Sequence, residues 1–118
     1  MRLCYAAIDA KGRRSDEAVL DDRICECCQS SAAMTSDGPI AAYRDRSEEE
    51  VGDIHYVRKQ PTGWSAPAPV HAENWKINAC PVKGPSVAAD GRREALAWTQ
   101  FGKPSQMRVA TADVSAFR

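Results

Sequence analysis

Short runs of alternating apolar and polar residues dominate the chain, separated about every ten residues by Asp-Gly, Thr-Gly and Pro signals. A period of two marks a strand with one face buried, and no stretch holds the 3.6-residue spacing of an amphipathic helix. The pattern predicts strands at Leu3 to Asp9, Ser31 to Ser36, Ile40 to Asp45, Asp53 to Lys59, Ser86 to Ala89, Glu94 to Thr99 and Met107 to Thr111. In the third of these, Ile40 and Ala42 face one way and Ala41 and Tyr43 the other. Both faces are therefore largely apolar, and the strand is expected between two layers.

The alternating segments also repeat. SAAMTSDG-PIAAYRDR followed by DIHYVRKQPTGW is echoed by PSVAADGRREALAWTQ followed by MRVATADVSAF. Asp37-Gly38 corresponds to Asp90-Gly91, Ile54 to Met107 and Trp64 to Phe117, each 53 positions apart, with a two-residue shift between the turn and Tyr43 or Trp98. The opening LCYAAIDAKG matches IHYVRKQPTG, which places residues 1–14 at the end of a preceding unit. One unit is a strand, an Asp-Gly hairpin, a second strand, a long loop, a third strand and a Gly-aromatic turn, the outline of a propeller blade. The fold class expected is all-β: a fragment of a β-propeller with one blade over 30–64 and the next, incomplete, over 84–118. Two blades leave an apolar face bare at each end, so self-association is expected.

Composition narrows the partners. Acids and bases balance at 16 each with no long run of one sign, which argues against nucleic acid. No stretch approaches the roughly 20 apolar residues of a membrane span, and MRLCYAAIDAKGRR has too short an apolar run to act as a signal peptide. Five cysteines in 118 residues favour an oxidising compartment, and the odd count leaves at least one thiol free, for which Cys4 is the natural candidate. Walker, G-x-G-x-x-G and G-x-S-x-G elements are absent, so nucleotide enzymes and α/β-hydrolases are disfavoured.

The run DDRICECCQSSAAMTSDGPIAAYRDRSEEEVGDIHYVRK, then GWSAPAPVHAENWKINACPVKGPSVAADGRR, resembles exported bacterial proteins of the sialidase superfamily, described as BNR or Asp-box repeat and exo-α-sialidase-like. The resemblance runs from Leu3 to Thr111 and covers part of such a protein. It implies about two four-stranded antiparallel blades of a six-bladed propeller, in a protein that is periplasmic, lipid-anchored or secreted. It also implies arginines that bind a sugar carboxylate, and glycoside hydrolysis by a tyrosine nucleophile with a glutamate and an aspartic acid. The chain departs from the family pattern at Gly52, where arginine is usual, and at Lys83, where asparagine is usual. The function expected is acidic-glycan binding, with hydrolysis in the full-length protein. The alternative is a non-catalytic binding or scaffold module, or an inactive fragment.

The densest charge lies in Tyr43-Arg44-Asp45-Arg46 and the following Glu48, Glu49, Glu50 and Asp53. Arginine offers a planar fork that takes a carboxylate by two parallel hydrogen bonds, so Arg44 and Arg46, on one face of a strand, are the ligand-binding candidates. Asp45, Glu50 and Asp53 are the acid candidates. Trp64 and Trp98 are assigned to packing, whereas Trp75, with Lys76 and Asn78 beside it, is the one tryptophan sent to a carbohydrate-binding surface. His55 and His71 lack metal-ligand spacing, and neither metal nor cofactor is expected. Among the cysteines, Cys25-Glu26-Cys27-Cys28 and Cys80 admit a zinc site. More economical is a disulfide from Cys80 to Cys27 or Cys28, with a vicinal Cys27–Cys28 bridge as a third arrangement.

Overall fold

A computed structural model describes residues 1–76, 81–100 and 104–114. Among these, all regular structure is strand apart from a single 3₁₀ position at Val114. Two strands, β1 (Leu3–Ile8) and β2 (Arg14–Asp21), pair as an antiparallel ribbon. The central sheet contains β3 (Ser31–Thr35), β4 (Gly38–Arg44) and β5 (Ile54–Gln60), with the short β6 (Gly63–Trp64) and β7 (Ala68–Pro69) both pairing with β5. A second meander follows as β8 (Ser86–Asp90), β9 (Arg93–Gln100) and β10 (Gln106–Asp113). No described helix is long and apolar enough to cross a membrane.

Strands β3, β4 and β5 recur as β8, β9 and β10, each starting within two residues of the 53-residue offset. The two-residue shift has a local cause. The first hairpin closes on the pair Thr35 and Gly38, so Gly38, at φ 110°, opens the returning strand. The second closes on Asp90 and Arg93, so Gly91, at φ 59°, sits inside the turn itself. Both positions have a positive φ that glycine adopts without a Cβ penalty.

Apolar residues on both faces make β4 the middle of the molecule. Ile40 and Ala42, with Ile54 of β5, pack against Val87, Leu96 and Trp98 of the second meander. On the opposite face Tyr43 and Val57 pack with Ile24, and the ribbon's Leu3 and Leu20 cover them together with Trp64. Three layers result, each interface removing apolar surface from water. The stacking is registered by polar contacts as well. Ser36 N donates to Gly91 O at 2.9 Å, joining the two hairpin tips, and Val87 N donates to the Ser31 hydroxyl at 3.1 Å. The outer layers alternate half-buried and exposed positions, and leave Ile8, Val19, Met107 and Val109 exposed.

One buried ion pair crosses the interface between the central sheet and the second meander. Arg58 of β5 donates to Glu94 of β9, and the two side chains are 1% and 0% exposed. Arg58 also donates to the Thr35 hydroxyl at 3.2 Å, a residue whose own hydroxyl donates to Gly38 O.

Candidate functional site

The expected charge cluster lies where β4 ends and β5 begins, and the structure divides it in three. Pairing of Arg44 with Ile54 and of Tyr43 with His55 fixes which side chains meet there.

Arg44 is drawn inside. Its Nε donates to Lys83 O at 2.9 Å, one terminal nitrogen to Gly52 O at 2.6 Å and the other to Thr99 O at 2.9 Å. The guanidinium also lies 4.7 Å over the Trp75 ring. Arg44 thus ties β4 to the segment leading into the second meander and to the end of β9. Trp75 is half-buried beneath it rather than displayed, and its carbonyl accepts from Gly52 N at 2.8 Å. A Cβ at Gly52 would touch the Trp75 ring at 3.5 Å, which relates this glycine directly to the tryptophan's seat. Asp53 holds the same loop: its carboxylate accepts from the backbone N–H groups of Glu73, Asn74 and Trp75 at 2.8–2.9 Å. Lys76 is exposed and bridges to Val51 through the backbone, and Asn78 lies outside the described residues.

Asp45, Asp21, Tyr43 and His55 form the second group. Tyr43 donates its hydroxyl to Asp21 Oδ2 at 2.6 Å, and burial, aided by that carboxylate, pushes the phenol well above its ordinary value. Burial likewise raises the Asp45 carboxyl, although His55 beside it pulls the other way. His55 Nδ1 is buried, 3.8 Å from Asp45 Oδ2, and has no hydrogen-bond partner among the described residues. Donor atoms of Asp21, Asp45 and His55 lie within 4.8 Å of one another, a set of two carboxylates and an imidazole able to hold a cation.

Arg46 belongs to the third group, on the rim. Its Nε donates to Glu50 Oε2 at 2.9 Å, and a second nitrogen lies 3.8 Å from Glu26. Arg23 donates to Glu50 Oε1 at 2.9 Å and to Arg46 O at 2.9 Å. These side chains are 42–46% exposed, open to a ligand in a way that Arg44 is not. Arg44 and Arg46, expected side by side, are therefore separated into a structural tie and an exposed donor. Of the three acid candidates, Glu50 is held below the usual carboxylate range by Arg46, and Asp53 is committed to the loop. Asp45 has the raised affinity for a proton that an acid needs. Asp21 and Arg23 were not singled out by sequence. Their nearest sequence signal is their position just ahead of the Cys25 cluster, in DDRICECC.

The cysteines correct one expectation. Cys4, Cys25 and Cys28 are free thiols, so a bridge from Cys28 to Cys80 and a vicinal Cys27–Cys28 bridge are both set aside. Cys80 lies outside the described residues, and Cys27 is not among the free thiols. The close pair is Cys25 and Cys28, with Sγ atoms 2.7 Å apart, and Cys27 Sγ is 3.6 Å from Cys25 Sγ. Burial, then contact with Cys25, pushes the Cys28 thiol up to about 11. The Cys-x-x-Cys spacing of residues 25 and 28 is the signal that could have found this pair.

An open groove of about 740 Å³ also runs along the second meander, lined by Ala88, Asp90, Arg93, Thr111 and Asp113 among others. Comparison of the chain with family models, with curated proteins and with solved structures finds no match.

Proposed function

We propose that the chain is part of a sialidase-like β-propeller whose role is to bind an acidic glycan at the β4–β5 end. What carries the reading is the pair of rim arginines, Arg23 and Arg46, whose side chains are 46% and 42% exposed. A guanidinium fork takes a sugar carboxylate by two parallel hydrogen bonds. The repeated, stacked meanders support the propeller frame, each acting as the inner part of a blade. Asp45, carrying its proton more tightly than an ordinary aspartate, is the group suited to acid chemistry in a full-length protein.

Arg44 favours the second reading, a non-catalytic binding or scaffold module. Its donors are spent on backbone carbonyls, which leaves the carboxylate site with the rim arginines alone. The raised Tyr43 phenol is likewise a poor nucleophile, so the 118-residue chain is expected to bind without cleaving.

Saturation-transfer NMR with N-acetylneuraminic acid, against galactose as the neutral control, tests the proposal. Signal from the acidic sugar that disappears in Arg46→Ala is the expected result. Equal signal from both sugars, or none from either, contradicts it. Turnover of a fluorogenic sialoside by the same chain would displace the non-catalytic reading.

A further inference from the structure

Cys25 and Cys28 serve no role in the glycan site, yet the fold brings them together. Cys25 is buried and its N–H donates to Arg44 O at 3.0 Å, which pins the start of the turn to the end of β4. At the other end, Gln29 exchanges side-chain hydrogen bonds with Gly84, donating to its carbonyl at 3.4 Å and accepting from its N–H at 3.0 Å. A Cβ on Gly84 would run into the Gln29 backbone, so the turn and the 81–85 segment are in direct contact. Between these anchors the two Sγ atoms stand 2.7 Å apart, well inside ordinary thiol contact and a short step from the roughly 2.05 Å of a disulfide.

We propose that Cys25 and Cys28 form a reactive dithiol whose substrate is a small-molecule or protein disulfide. In the first step one thiolate attacks the disulfide R–S–S–R, forming a mixed disulfide and releasing one R–S⁻, which takes up a proton. In the second step the other cysteine attacks the mixed disulfide, closing Cys25–Cys28 and releasing the second R–SH. The pair loses two electrons and two protons, and the disulfide substrate gains them. The oxidised turn keeps residues 25–28 closed between the end of β4 and the 81–85 segment. Cys27 takes no part in this exchange.

The test equilibrates the Cys4→Ser chain in buffers of graded reduced and oxidised glutathione. Each sample is quenched in acid, alkylated under denaturing conditions, and mapped by mass spectrometry on the peptide from Ile24 to Arg44. The expected result is a paired loss of alkylation at Cys25 and Cys28 in the same molecules, with a mass two daltons lower. In Cys25→Ser the remaining Cys28 should end as a glutathione adduct, not as an internal bridge. An equilibrium readout is chosen because the raised Cys28 pKa slows attack without changing the end point. Three results overturn the proposal: independent modification of the two residues, a bridge from either one to Cys27, or one zinc ion retained per chain with all the thiols of the peptide protected.

Discussion

Replacing Glu94 by leucine removes one half of the ion pair that joins the central sheet to the second meander. The lost interaction lies in the interior, with side chains 1% and 0% exposed, so solvent screening does not dilute it. Breaking such a pair leaves Arg58 charged and buried, at a cost of about 3–5 kcal/mol. A chain this size is stable by only about 5–15 kcal/mol, so the loss is a large share of the whole. The melting temperature should fall on the order of 10–20 °C. The pair is also incompletely satisfied: Arg58 Nε and Glu94 Oε2 have no hydrogen-bond partner among the described residues. Its desolvation is therefore only partly repaid, and Arg58→Met/Glu94→Leu together should cost less than either change alone. Urea unfolding followed by tryptophan fluorescence, analysed as a double-mutant cycle, measures both quantities. A single-variant cost under about 1 kcal/mol, the value of an exposed pair, would refute the reasoning. So would a double variant whose cost equals the sum of the two singles.

Four other outcomes follow from the same geometry. Asp53→Ala frees three backbone N–H groups around Trp75, and should cost about 1–3 kcal/mol and shift tryptophan emission, read in the same unfolding experiment. Asp45 holds its proton more tightly folded than unfolded, so its contribution to stability is greatest below 3.8 and is lost as pH rises through its raised folded pKa; Asp45→Asn should flatten that fall in a pH series of thermal melts. If Cys27 pairs with Cys80, denaturing alkylation of fully folded, unreduced chain labels three of the five cysteines, Cys4, Cys25 and Cys28, and five labelled thiols would reject the pairing. The exposed Met107 and Val109 on β10, and Ile8 and Val19 on the ribbon, should make the chain self-associate, and a strict monomer by light scattering would contradict this.

Alternation made β3, β8, β9 and β10 legible because each has a face against a neighbouring layer, and β4 and β5 because both of their faces carry apolar residues. β2 escaped notice for the opposite reason: Arg14, Ser15, Asp16 and Glu17 are all exposed, so half the strand has no apolar period to read. Ile40, Ala42 and Tyr43 announced a two-sided strand correctly, since a residue pattern records burial on both faces. Arg44 shows the limit. Two arginines two positions apart look alike in sequence, but the second meander covers one and leaves the other at the rim. Only the arrival of Lys83 and Thr99, far along the chain, decides between them. The Arg58–Glu94 pair is hidden for the same reason, because its partners are brought together by stacking and not by local spacing. The Cys25–Cys28 contact escaped notice because the sequence reading weighed Cys27 and Cys28 against Cys80, whereas a tight turn brings residues three apart together.

Chemical-shift mapping on the ¹⁵N-labelled chain titrated with N-acetylneuraminic acid tests acidic-glycan binding most directly. The account predicts saturable shifts gathered at Arg23, Asp45, Arg46, Glu50 and His55, and absent in Arg46→Ala. Shifts confined to the groove along β8–β10, or none at millimolar sugar, would contradict it.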